Sequence, residues 1–147
     1  MRISTKGRYA MRAMLDLALH YGEGPILLKD VAKREHISER YLEQIILSLK
    51  AAGLVNSTRG ARGGFMLAKP PSQIRLIEVM QVSEGSTAPV ECVSDPEACS
   101  RASVCVTRDI WSEMKTAMDG ILESTTLQDL AQRRREKELP KARMYYI

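Results

Sequence analysis

The stretch Ser38-Glu39-Arg40-Tyr41-Leu42-Glu43-Gln44-Ile45-Ile46-Leu47-Ser48-Leu49-Lys50-Ala51-Ala52-Gly53 decides how this chain is read. Ser38 suits a helix N-cap, because its hydroxyl accepts from the free amides of the next turn. Glu39 in that first turn suits the helix dipole. Leu42, Ile45, Ile46 and Leu49 recur at i, i+3, i+4, i+7, which makes one apolar stripe. Gly53 is the C-terminal stop. Arg40, Gln44 and Leu47 fall roughly opposite the stripe, with Glu43 on the flank. Such a helix buries one side and offers the other to a partner.

Upstream, His36-Ile37 is a tight connection to a short helix from about Lys29 to Arg34, with Val31 and Ala32 inward. Before it, Arg8 to Tyr21 reads as a helix, since Tyr9, Ala13, Leu17 and Tyr21 stack at i+4. Gly22 and Gly24-Pro25 end it, and Ile26-Leu27 is a short extended piece. Two helices joined by a tight turn to a longer third one make a helix-turn-helix. Downstream, Leu54 to Thr58 reads as a strand, Arg59-Gly60-Ala61-Arg62-Gly63-Gly64 as a glycine-rich turn, and Phe65 to Ala68 as the returning strand. A hairpin in this place is a wing. Its glycines permit close approach to a backbone, and Arg59 and Arg62 charge its tip. As a nucleotide-phosphate cradle the loop lacks the Gly-Lys-Ser/Thr ending and leads to a strand instead of a helix.

Past Lys69-Pro70-Pro71, a short helix is expected from Ile74 to about Val82. Ser83 to Val104 has no periodicity and is too long for a structureless loop unless something organises it. From Val106 to about Ser124 a long helix returns, with Ile110, Met114, Met118, Ile121 and Leu122 in a stripe joined by Trp111. The stripe is wider than a monomer of this size needs to hide, so a homodimer is expected. Thr126 with Asp129 is a near capping box. The helix it opens is expected to lose order after Arg133-Arg134-Arg135. The fold class is therefore mainly α with a small β-hairpin wing, a winged helix-turn-helix plus a long dimerisation helix. The expected divisions are 1–82 for DNA binding, 83–105 for a cysteine-bearing loop, 106–135 for the dimerisation and following helices, and 136–147 for a tail.

The chain has 147 residues, 44% hydrophobic and 27% charged, with a net charge of +4. That is one globular domain's worth. Residues 1–69 hold 12 Lys/Arg against 6 Asp/Glu, whereas residues 70–147 hold 10 against 12. The basic half is the candidate for phosphate contacts. No apolar run approaches a membrane span, and the first residues lack the apolar core of a signal peptide, so no membrane contact and a cytoplasmic location are expected. Only two histidines, His20 and His36, no nucleotide fingerprint and no acid–base pair argue against an enzyme. A cluster carrier would leave the winged helix-turn-helix unexplained.

Cys92, Cys99 and Cys105 lie within 14 residues. Thiolates are soft ligands for zinc, copper(I) and iron–sulfur clusters. Paired ligands two to four residues apart, usual for structural zinc, are absent. Three thiols fall one short of a closed cluster site, and spacing alone also allows three unrelated thiols.

Met1 to Ala10, Ile37-Ser38, Tyr41 to Gln44, Gly53-Leu54-Val55, the Arg59-Gly60-x-x-Gly63-Gly64 wing and Cys105-Val106-Thr107-x-x-x-Trp111 together resemble the IscR-type iron–sulfur regulators among the Rrf-type winged-helix repressors. The resemblance covers nearly the whole chain. It implies an iron–sulfur cluster on the three cysteines, 2Fe-2S favoured over 4Fe-4S, and control of cluster-biogenesis genes. It departs at Arg108, where the best-known members carry a histidine ligand; an arginine has no lone pair to give. A sister branch uses an aspartate at the position of Arg8. The fourth ligand is then sought among His20, His36, Glu43, Glu91, Asp95 and Glu97. Glu43 is favoured, because in this family the recognition helix lies near the partner's cysteine loop. The expected partner is a pseudo-palindromic duplex. Ser38, Arg40, Tyr41 and Gln44 are expected at the major groove, Arg59 and Arg62 at the backbone or minor groove, and Arg2, Lys6 and Arg8 at phosphates.

Overall fold

The computed structural model describes residues 1–145; Tyr146 and Ile147 of the expected tail lie outside the described residues. Seven helices and one hairpin follow in the order α1 (Thr5–Leu19), α2 (Leu28–Glu35), α3 (Glu39–Ala51), β1 (Val55–Thr58), β2 (Gly64–Leu67), α4 (Leu76–Glu84), α5 (Glu91–Ser94), α6 (Val106–Ser124) and α7 (Leu127–Tyr145). No described helix is long and apolar enough to cross a membrane.

The core forms around α1. Its Ala10, Ala13, Met14 and Leu17 meet the α3 stripe of Leu42, Ile45, Ile46 and Leu49, closed from below by Ile74, Val79 and Leu127. The helix begins three residues before Arg8, because the Ser4 hydroxyl accepts from the Gly7 amide at 3.0 Å and caps the end. Asp16, buried on α1, takes both guanidinium donors of Arg34 at 2.9 and 2.8 Å and so fixes α2 against α1.

The turn of the helix-turn-helix rests on His36, which is left-handed at φ 54°. This conformation lets Ile37 N–H reach back to the Ala32 carbonyl at 3.0 Å and end α2. Ser38 then caps α3, accepting from the Tyr41 amide at 3.3 Å. At its far end Gly53 (φ 79°) lets Leu54 N–H bond the Leu49 carbonyl at 3.0 Å, a Schellman closure as its sequence predicts.

The wing pairs Val55 with Leu67 through Thr58 with Gly64, antiparallel. The extended piece at Ile26 joins it, exchanging two backbone hydrogen bonds of 2.8 Å with Phe65. Both wing glycines answer to the protein's own backbone. A Cβ on Gly64 would run into the Ile26 carbonyl oxygen and lie 2.7 Å from its carbon, and one on Gly63 would strike the Thr58 carbonyl.

A second bridge pairs Arg75 with Thr126. Leu76 N–H bonds the Thr125 carbonyl and Leu127 N–H the Ile74 carbonyl, each at 2.9 Å, tying the start of α4 to the elbow between α6 and α7. Thr126 and Asp129 complete the expected capping box at 2.9 and 3.2 Å. The expectation that order ends at Arg135 is corrected: α7 runs on to Tyr145 with Pro140 inside it. The basic run is mid-helix, where Arg134 pairs with Glu138 at 2.6 Å and Gln132 with Glu136 at 3.2 Å, i to i+4.

Candidate nucleic-acid interface and cysteine loop

On α3, Arg40, Glu43, Gln44 and Leu47 are all exposed, while the stripe beneath them is buried. Four neighbouring side chains on a rigid, capped helix are thus held clear of the core. Tyr41 differs. It is half-buried, with its ring edge-on to Tyr9 at 5.8 Å, and Arg12 stacks over Tyr9 at 5.5 Å. Arg12 also donates to the Glu35 carboxylate at 3.1 Å, so one cluster joins α1, α2 and α3 behind the exposed face.

Arg59 and Arg62 are exposed at the wing tip. At the N-terminus Arg2 and Arg8 are exposed and Lys6 half-buried; Arg8 bonds the Thr5 hydroxyl at 3.1 Å. Local pattern did not reveal what holds this arm. Glu84, 80 residues away at the end of α4, accepts from both the amide and the hydroxyl of Ser4.

The segment after Gly85 is organised by short elements and by side chains of the protein. Besides α5 it contains a single helical turn at Pro96–Ala98. Thr87 donates to Asp119 at 2.5 Å, and Arg108 donates through Nε to the Cys92 carbonyl at 2.9 Å, so the segment is tied to α6. Arg108 therefore clamps the cysteine segment.

Cys92 lies half-exposed on α5, Cys99 is exposed just past the Pro96–Ala98 turn, and Cys105 is the residue from which α6 starts. The Cys105 thiol is held below its ordinary range, chiefly by the Thr107 hydroxyl at 3.2 Å and next by the Arg108 backbone amide. The lowering favours the thiolate, which is the ligating and nucleophilic form. Three thiols are the right donors for an iron–sulfur cluster. Among the described residues, however, no three His, Cys, Asp or Glu side chains gather into one ligand group. Within one chain Glu43 and the cysteines form no such group either, so Glu43 serves as a ligand only if a second copy brings its loop near. In donor chemistry the site fits a cluster; in arrangement it requires the loop to close and a fourth donor to arrive.

Within the single chain, helix α6 leaves its apolar stripe largely uncovered, as a helix kept for a second copy would. No residue of it is buried. Arg108, Ser112, Lys115 and Asp119 are half-buried together with Met114, Met118 and Leu122, of which Leu122 packs against the core, and Lys115 pairs with Asp119. Val106, Ile110 and Ile121 are 75%, 51% and 66% exposed. At about 100° per residue these three fall within roughly 60° of arc.

A family model described as Rrf2, iron-dependent transcriptional regulator, matches residues 3–133. The chain belongs to the Rrf2 family. It is 44% identical over 131 residues to the HTH-type transcriptional regulator CymR of Bacillus subtilis, covering 89% of this chain and 90% of that one. It is 41% identical over 130 residues to the HTH-type regulator IscR of Photorhabdus laumondii, covering 88% and 79%. The solved structure of B. subtilis CymR, described as the global cysteine regulator, superposes with a TM-score of 0.77 at 42% identity, covering 90% and 98%. That of T. potens IscR gives 0.78 at 38% identity, covering 94% and 91%.

This Rrf2-family chain is thus a DNA-binding transcriptional regulator with a winged-helix fold, and not an enzyme. It is similar to CymR and to IscR at comparable identity. Both solved structures share its fold, and the cysteine segment is where a finer function would lie.

Proposed function

We propose that the chain acts as a homodimer that binds a pseudo-palindromic duplex and responds to an iron–sulfur cluster on Cys92, Cys99 and Cys105, in control of cluster-biogenesis genes. One observation carries the reading: Cys105 is the N-cap of α6, the helix that bears the exposed apolar face. Val106, Ile110 and Ile121 left exposed along one side of a helix are costly in water and are explained by a second copy against them. Two-fold symmetry then sets two α3 helices about one DNA turn, ~34 Å, apart. Arg40 and Gln44 read base edges, with Ser38 and the Tyr41 hydroxyl beside them. Arg59 and Arg62 engage the wing's backbone or minor-groove contacts, and Arg2, Lys6 and Arg8 hold phosphates.

When bound, a cluster of the 2Fe-2S type supplies a tie among the sulfurs that is sensitive to iron supply and oxidation. Cys92, Cys99 and Cys105 would hold it, and Glu43 of a second copy is the fourth donor. Because a ligand shifts a conformational equilibrium only by its differential affinity for the two states, the residues that must differ between states are those of the segment 85–105 and the Arg108 clamp. The test is anaerobic DNA binding by one preparation before and after iron chelation. A change in affinity or in preferred site supports the reading; identical binding in both contradicts it.

A second reading has one observation in its favour. Arg108 stands where a histidine ligand is expected and spends its donor on the Cys92 carbonyl. On that reading the reactive Cys105 thiol senses the thiol state directly and no cluster is held. Equal responses to chelation and mock treatment, together with a response to thiol alkylation, would favour it.

A further inference from the structure

We infer that Glu84 is the positioning residue of the DNA-contacting N-terminal arm, and that it links that arm to the start of the cysteine segment. This rests on the reading of Arg2 and Lys6 as phosphate contacts. Ser4 is already committed as the cap of α1, its hydroxyl accepting from the Gly7 amide at 3.0 Å. The same hydroxyl donates to Glu84 Oε1 at 2.5 Å, and the Ser4 amide donates to that oxygen at 3.0 Å. A carboxylate accepting two donors from one residue fixes that residue's backbone as well as its side chain. Arg2 and Lys6 lie two residues to either side, so the grip on Ser4 sets where both cations leave the body.

Gly7 shows that the arrangement depends on this close approach. Gly7 is buried, and a Cβ there would meet Glu84 Oε1, with Glu84 Cδ and Ile3 Cγ2 each 3.1 Å away. The glycine interrupts the first turn of a helix, where it is intrinsically unfavourable. Its place is explained by the carboxylate lying across that turn. Glu84 is also the last residue of α4, and Gly85 follows at φ 77° to open the segment that carries Cys92, Cys99 and Cys105. A displacement at the head of that segment moves the carboxylate, and with it the arm.

The experiment uses the full chain and a short mixed-sequence duplex, whose binding reports phosphate contacts without an operator. Binding is titrated over a salt series by fluorescence anisotropy. Glu84→Ala is expected to weaken binding several-fold and to flatten the log–log salt slope by about one unit for each phosphate that the arm no longer neutralises. Glu84→Gln, whose amide oxygen still accepts from Ser4, is expected to stay close to the unchanged protein. Gly7→Ala, which improves helix propensity while pushing the carboxylate aside, is expected to behave as Glu84→Ala; a merely structural role predicts no weakening. Wild-type affinity and slope for Glu84→Ala, while the Arg2→Ala/Lys6→Ala protein is weakened, would overturn the assignment. Unchanged binding by Arg2→Ala/Lys6→Ala would instead remove the arm from the interface and the inference with it.

Discussion

Buried side chains run from Ala10 to Met80 and resume at Leu127 and Ala131, while from Gln81 to Thr126 no described residue is buried. The two regions share one chain and one set of helices, yet one is closed and the other open. In the DNA-binding body each helix spends its apolar face on a neighbour inside the same chain. In the cysteine segment and α6, no side chain goes beyond half-burial, Met118 and Leu122 no more than Lys115 and Asp119, and Val106, Ile110 and Ile121 are exposed. A body that is complete alone holds the reading elements rigid. A segment that is incomplete alone is where a second copy and a bound group have leverage.

The contrast breaks most visibly under truncation of apolar side chains. Leu42→Ala, in the closed body, is expected to cost ~2–5 kcal/mol in urea unfolding. Ile110→Ala, in the open region, is expected to leave the unfolding of dilute, monomeric protein nearly unchanged. Equal effects in the two would erase the distinction between the regions. Next in size comes Ile121→Glu. Placing a charge in the exposed stripe is expected to give monomers in sedimentation velocity while the folded circular-dichroism spectrum persists. A protein that remains dimeric would put the interface off α6.

A smaller effect sharpens the chemistry of the open region. The Cys105 thiol is held low mainly by Thr107, so its thiolate is present at lower pH than an ordinary cysteine's. In the metal-free protein Cys105 is expected to alkylate with a pH midpoint below the free-thiol value. Thr107→Val is expected to move that midpoint upward, and mass spectrometry of the labelled peptide reads both. An unmoved midpoint would show that the hydroxyl does not hold the thiolate. Smallest is His36→Gly in the turn of the closed body. The left-handed φ of 54° is strained for histidine, so glycine there is expected to raise stability by about 0.5–1 kcal/mol. A drop in stability would mean that the His36 ring makes contacts that outweigh the backbone strain.

The sequence foretold the body far better than the open region, for a physical reason. The stripe on α3, its Ser38 cap and its Gly53 stop are local signals, and α6 occupies Val106–Ser124 as periodicity predicts. Contacts between distant residues leave no local mark. Glu84 reaches Ser4 across 80 residues, a hold on the N-terminal arm that no spacing shows; the start of α1 at Thr5, by contrast, comes from the local Ser4 cap. Gly63 and Gly64 were legible as glycines permitting close approach, but not the backbone that approaches, which belongs to Thr58 and Ile26. Tyr41 sits on the expected helix, yet its stacking on Tyr9 cannot be seen in the spacing. The three cysteines were legible as thiol donors. That a single chain leaves them ungathered, with Arg108 gripping the Cys92 carbonyl, belongs to tertiary structure alone.

Whether an iron–sulfur cluster completes the open segment is read from the visible spectrum of anaerobically purified protein, with iron and acid-labile sulfide assayed on the same sample. A coloured protein with iron and sulfide in equal amounts is expected, both absent from Cys92→Ala, Cys99→Ala and Cys105→Ala alike. Colourless protein without iron or sulfide, still able to bind its duplex after purification and after reconstitution with iron and sulfide, would contradict that expectation.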